Sequence, residues 1–126
     1  MITIAVQLKK PLPSMANERL HWAMKAARVK QQRQQAALYL QVCAGPRIAS
    51  LARLVARQPV TLRCVLTRVA PRKLDGDNLQ HAFKAIRDEV AKTLGLDDGS
   101  PRWTWLYAQQ SSVRWPGYQI ELTVTP

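Results

Sequence analysis

Acidic residues are scarce in this chain: eight Asp plus Glu stand against 19 Lys plus Arg, a formal charge of +11 with a pI of about 10.5. Cysteine is scarcer still. Cys43 and Cys64 are far apart, lack a C-x-x-C spacing and sit in apolar stretches, so they read as reduced buried thiols and not as a zinc site. No hydrophobic run reaches membrane-spanning length. The start, MITIAVQLKK, places its charges after a short apolar run, the wrong order for a signal peptide. These absences argue against a membrane-spanning helix, and the protein is expected in the cytosol. There is no repeat, low-complexity segment or linker.

What remains is 126 residues with a 47% apolar share, the size and composition of one folded domain spanning 1–126. The basic residues run from Lys9 to Arg114 and form no tail, so the charge belongs to the folded surface. A self-repulsion this large points to a polyanionic partner, nucleic acid above all.

In chain order, Ile2 to Leu8 is rich in β-branched residues and reads as a strand. Pro11 and Pro13 break it, and Ser14 or Asn17 offers a helix cap. The segment from Glu18 to Val42 is predicted helical, with Leu20, Met24, Ala27, Ala37, Leu38 and Val42 as its buried stripe. Arg19, Lys25, Arg28, Lys30 and Arg33 charge it, and only Glu18 offsets them. Trp22 reads as a core anchor more readily than as a base-stacking platform. Gly45-Pro46 is expected to end this helix and Ile48 to open a short second one. Val60 to Val69 reads as a strand, Trp103 to Gln109 as an aromatic strand, and Tyr118 to Val124 as a final alternating strand. The predicted fold class is α+β, with a small mixed β-sheet in the order β-α-(α)-β-α-β-β.

Six of the eight acids lie in one stretch, LDGDNLQHAFKAIRDEVAKTLGLDDGS, from Leu74 to Ser100. Leu79, Phe83, Ile86, Val90 and Leu94 recur at helical spacing, and Gly95 stands where a left-handed cap belongs. Asp77 with Gln80 three residues on has the pattern of a capping box. That leaves Asp75 without a structural task; if both are extended, Asp75 and Asp77 point the same way. Lys84 and Asp88 read as an i, i+4 ion pair. Asp97 and Asp98 follow the helix, where turn propensity alone accounts for them. Carboxylates gathered in a basic protein also suit a hard divalent cation. A helix from Asn78 to Leu94 is about 25 Å long. Its two acidic ends meet over one metal only if the following loop returns or a second subunit supplies the other end.

This stretch resembles the RusA family of Holliday junction resolvases, phage-borne relatives included. The matches, in order, are R-K-L-D-G-D-N-L before the helix, the helix itself, and L-D-D-G after it; P-L-P-S-M-A-N-E-R-L-H-W near the start resembles the family's opening motif. Together they cover about half of the chain. The resemblance implies a homodimer in the cytoplasm of a bacterial host cell that cuts four-way and other branched DNA with Mg²⁺, or Mn²⁺ in its place, in recombination and repair. By position Asp75, Asp77 and Asp98 match the family's essential, metal-holding carboxylates, Asp97 the first member of the D-D pair, and Asn78 the motif asparagine. The family's catalytic lysine falls four residues after the second Asp; here that residue is His81, and Lys84, one turn further, is the substitute.

The implied reaction is phosphodiester hydrolysis by in-line attack of water, with Lys84 adding positive charge at the reacting phosphorus. Arg19, Arg28, Arg72, Lys73, His81 and Arg87 are the candidate nucleic-acid contacts. The rival reading is a non-catalytic DNA-binding protein whose acids are caps and turns. An RNA-directed protein fits the charge as well but shows no RNA motif.

Overall fold

Leu62, Cys64 and Leu66 alternate with Thr61, Arg63, Val65 and Thr67, the pattern of a strand with one covered face. In the computed structural model, which describes residues 2–8, 12, 22–114 and 116–125, this segment is strand β2 (Thr61–Ala70). It sits inside a four-stranded mixed sheet with β1 (Ile2–Leu8), β3 (Trp103–Ser111) and β4 (Gly117–Thr125), in the order β1-β4-β2-β3. β4 runs antiparallel to both neighbours, placing Leu122 opposite Ile4 on one side and Cys64 on the other. β2 and β3 are parallel, with Leu62 opposite Trp103. A parallel pair needs a long crossover, and helices α2 (Gly76–Ala82) and α3 (Lys84–Leu94) supply it. The chain is thus an α+β fold, and one core cluster joins the sheet to α2, α3 and the long helix α1 (Trp22–Arg57).

Helix α1 corrects the sequence reading. Gly45-Pro46 does not end it; the helix runs 36 residues with Pro46 inside. Proline lacks the N–H that Val42 would accept, at a cost of about 3 kcal/mol in a helix interior. Burial on both sides of the break offsets this: Ala36, Leu40 and Ala44 before it and Ile48, Leu51 and Val55 after it form one buried stripe. Pro46 itself faces solvent, so water can reach the freed carbonyl. The predicted stripe was misphased as well: Met24, Leu38 and Val42 are exposed. Arg102 steadies the far end, donating to the carbonyls of Val55 at 3.0 Å and Gln58 at 2.7 Å. Replacing Pro46 by Ala is expected to raise stability by about 2 kcal/mol, since the exposed ring leaves no hole; urea denaturation reads it directly.

The acidic helix is also more articulated than predicted. In place of one helix over 78–94 there are two, joined at Phe83, whose φ of −90° and ψ of 0° break the regular turn. The Phe83 N–H is shared between the carbonyls of Leu79 at 3.3 Å and Gln80 at 3.2 Å. The expected stripe is nevertheless buried in full: Leu79, Phe83, Ile86, Val90 and Leu94. Of the two cysteines, Cys64 is buried, and burial pushes its thiol pKa up, whereas Cys43 is exposed, against expectation. Among the described residues no helix is long and apolar enough to cross a membrane. Ser14, Asn17, Arg19 and most of the motif resembling the family's start lie outside the described residues.

Candidate functional site

The inward residues of β3 fall at every second position, Trp103, Trp105, Tyr107 and Gln109. Each carries an apolar body with a polar tip, and the tips hold the two acidic segments in place. Gln109 clamps the segment before α2: the Leu74 N–H donates to its Oε1 at 2.7 Å, and its Nε2 donates to the Leu74 carbonyl at 2.8 Å. The next residue, Asp75, occupies the helix N-cap position with extended backbone. Its carbonyl accepts the Leu79 N–H at 2.8 Å, but its carboxylate makes no cap hydrogen bond.

Helix α2 therefore begins two residues earlier than the capping-box pattern predicts, and Asp77 lies inside its first turn. The condition for Asp75 and Asp77 to share a direction, extended backbone at both, is not met. The phase follows from burial, because Leu79 and Ala82 must face the core. A carboxylate in the first turn is also favoured by the positive end of the helix dipole.

At the other end, Gly95 takes the left-handed conformation, φ 68° and ψ 27°. Gly95 N–H donates to Lys92 O at 3.1 Å and Leu96 N–H to Ala91 O at 3.2 Å, the paired bonds of a Schellman motif. The chain turns back on α3 from there. Trp103 Nε1 donates to Leu96 O at 3.1 Å, and Trp105 Nε1 to Asp98 O at 2.9 Å. Arg87 Nε donates to Asp98 Oδ2 at 3.0 Å and its Nη2 to Asp98 O at 3.2 Å. The same guanidinium donates to the Tyr107 hydroxyl at 3.0 Å and lies 4.8 Å from the Trp105 ring centroid. Burial works against the Arg87 charge, but the partners Tyr107 and Asp98 outweigh it and raise its pKa.

Asp97 and Asp98 have different work. Asp97 Oδ2 accepts the Gly99 N–H at 3.1 Å and its carbonyl accepts Ser100 N–H at 3.0 Å, a turn role. Asp98 instead faces a cleft of about 530 Å³ lined also by Asp77, Gln80, His81, Lys84, Arg87 and Tyr107. The returning loop, one of two solutions the sequence left open, brings Asp98 to the same cleft as Asp77. Lys84 pairs with Asp88 at 2.8 Å, as its spacing predicts, and lies 3.8 Å from Asp98. The Asp88 hydrogen bond, with the charges of Asp88 and Asp98, holds the Lys84 ammonium pKa above its usual range.

Asp77, His81, Lys84, Arg87 and Asp98 are therefore brought together, whereas Asp75, Asn78, Arg28, Arg72 and Lys73 do not line this cleft. Among the described residues no three His, Cys, Asp or Glu side chains stand close enough to hold a metal, so Asp75, Asp77 and Asp98 do not form a three-ligand cluster. Two carboxylates line one open cleft, and carboxylate oxygen is the donor type that Mg²⁺ takes one or two of, the rest of its shell being water and phosphate oxygens. Gln80, read only as part of a capping box, and Tyr107, Trp105 and Gln109 escaped the sequence reading as site residues. The signal for the last three was available in W-T-W-L-Y-A-Q, where a two-residue period puts every polar tip on one face.

Gln109→Leu is expected to cost about 1–2 kcal/mol, because the Leu74 N–H and carbonyl lose their partners in a half-buried position. Faster hydrogen exchange at the Leu74 amide would accompany the lower urea midpoint.

No protein-family model matches this chain, and no curated protein does. Among solved structures, one described as the structure of 2C-methyl-D-erythritol-2,4-cyclodiphosphate synthase aligns with 71% of this chain at 18% identity and a TM-score of 0.35. The chain spans about half (51%) of that protein's length. A likeness at that level carries nothing about this chain's chemistry.

Proposed function

We propose that the chain is a Mg²⁺-dependent endonuclease that hydrolyses phosphodiester bonds in branched DNA, four-way junctions in particular, as a homodimer in the cytoplasm of a bacterial host. The observation that carries the reading is the return of Asp98 to the cleft that Asp77 lines, with Lys84 beside it. A turn-forming acid has no need of that return. Asp77 and Asp98 would hold the metal; Asp75, at the start of the same helix, stands outside the cleft and is not part of this donor pair. When bound, the metal supplies a Lewis acid that activates water and offsets charge on the scissile phosphate.

The chain's own residues do the rest. Arg87 and Trp105 fix the Asp98 backbone, so its carboxylate is held ready without a loss of loop freedom on binding. Lys84, with a side chain 63% exposed, can leave Asp98 for a phosphate oxygen while Asp88 keeps hold of it. His81 lines the cleft from the preceding turn and would contact the phosphate or the leaving oxygen.

One observation favours a binding-only relative: Asp98 already faces two cations, Arg87 and Lys84, and the lysine position holds His81. A labelled four-way junction and a matched linear duplex, each incubated with Mg²⁺ and with EDTA, separate the readings. Paired nicks on the junction alone, lost in EDTA, are the expected result. Tight junction binding without nicks in Mg²⁺ or Mn²⁺ would establish the binding-only protein instead.

A further inference from the structure

Helix α1 carries Lys25, Arg28, Lys30, Arg33, Arg47, Arg53 and Arg57 and not one acidic residue. Its buried residues begin only at Ala36, so the stretch 22–35 runs beyond the core. Trp22, expected in the core, is 75% exposed there, and Val29 is 38% exposed. Arg33 ties this stretch to the body: its Nε donates to Glu89 Oε2 of α3 at 2.9 Å. Between α1 and α3 lies a groove of about 520 Å³ with Ala26 and Val29 on its wall and Lys30, Arg33 and Lys92 along it. Among the described residues Glu89 is the one carboxylate in its lining, and Arg33 occupies it. Among the described residues Lys30 and Lys92 have no ion-pair partner.

One hollow separates this groove from the carboxylate cleft. Arg33 and Lys92 line both the groove and the next hollow, and Asp98 lines both that hollow and the cleft. The three hollows are thus neighbours with shared walls, cationic at the α1 end and lined by Asp88, Asp97 and Asp98 toward the cleft. We infer that the α1–α3 groove seats a nucleic-acid backbone, with Lys30 and Lys92 on its phosphates, and leads it to the cleft. Two uncompensated ammonium groups over small apolar side chains let a phosphodiester chain approach closely and match its charge. An apolar partner helix would leave both buried without counter-charges. The role of the groove in cleavage rests on the function proposed above; its role in binding does not.

The test is binding without cleavage. Lys30→Gln/Lys92→Gln is compared with Arg53→Gln/Arg57→Gln, which removes the same charge from exposed positions at the other end of α1. Labelled four-way junction and linear duplex are titrated in EDTA by fluorescence anisotropy, across about 50 to 200 mM salt. The groove variant is expected to bind about tenfold more weakly, with a slope of log K against log salt shallower by about two. The control should stay close to wild type. Equal losses in both variants, or none in the groove variant, overturn the inference. A wild-type protein that binds through Lys30 and Lys92 yet never cuts would refute the nuclease and keep the groove.

Discussion

Asp98→Asn is expected to lower Mg²⁺-dependent junction cleavage by more than about 100-fold, because even groups behind a metal ligand are worth 10–100-fold. Asparagine keeps the shape and an acceptor for Arg87 Nε, and the Asp98 carbonyl keeps its bonds to Trp105 and Arg87. The fold therefore loses only the charge in two ion pairs, the half-buried one with Arg87 and the longer one with exposed Lys84, about 1 kcal/mol. What goes is the anionic oxygen that a hard cation requires. Asp97→Asn is the matched control, one residue away, exposed, and engaged in a turn through Gly99. It should cut within about threefold of wild type, since an amide oxygen can accept the same N–H. Initial rates, junction affinity in EDTA and urea midpoints for the pair decide the matter. Equal losses of rate in the two variants would mean that loop geometry, and not the Asp98 carboxylate, was being measured.

The contrast between those neighbours marks where the sequence stops being informative. Both sit in a turn-prone D-D-G, and nothing local separates them. The difference comes from Gly95, which turns the chain back, and from Trp105 and Arg87, which grip the second aspartate and not the first. The Gly95 cap was legible because a left-handed cap has a local signature. The grip was not, since it depends on β3 lying parallel to β2 with α2 and α3 carried across between them. The buried face of α2 and α3 was legible for a related reason: five apolar positions from Leu79 to Leu94 at helical spacing admit one solution. Pro46 misled for the opposite reason. A local helix breaker costs about 3 kcal/mol, but six buried residues along one stripe outweigh it, and that stripe is visible only once the sheet is in place. The start of α2 shows the same thing on a smaller scale. Asp77 has the better capping pattern, yet Gln109, some thirty residues away, clamps Leu74 and hands the cap position to Asp75.

Phe83→Ala is expected to cost about 3–5 kcal/mol, which is a large part of the 5–15 kcal/mol that holds a domain of this size together. Phe83 has 0% exposure and heads the largest fully buried side chains. Its ring meets Tyr118 edge-on at 6.0 Å and Tyr107 tilted at 6.1 Å. The Tyr118 hydroxyl is buried with no hydrogen-bond partner among the described residues, so packing and not hydrogen bonding must keep that ring in place. Phe83 is also the joint between α2 and α3, hence between the helix that bears Asp77 and the one that bears Lys84 and Arg87. Phe83→Leu keeps most of the volume and should cost about 1–2 kcal/mol. It leaves a folded protein in which the joint is free to adjust, so its loss of cleavage is expected to exceed its loss of stability, with junction affinity in EDTA unchanged. Cleavage that falls only in step with the folded fraction would instead reduce Phe83 to a core residue with no hold on the cleft.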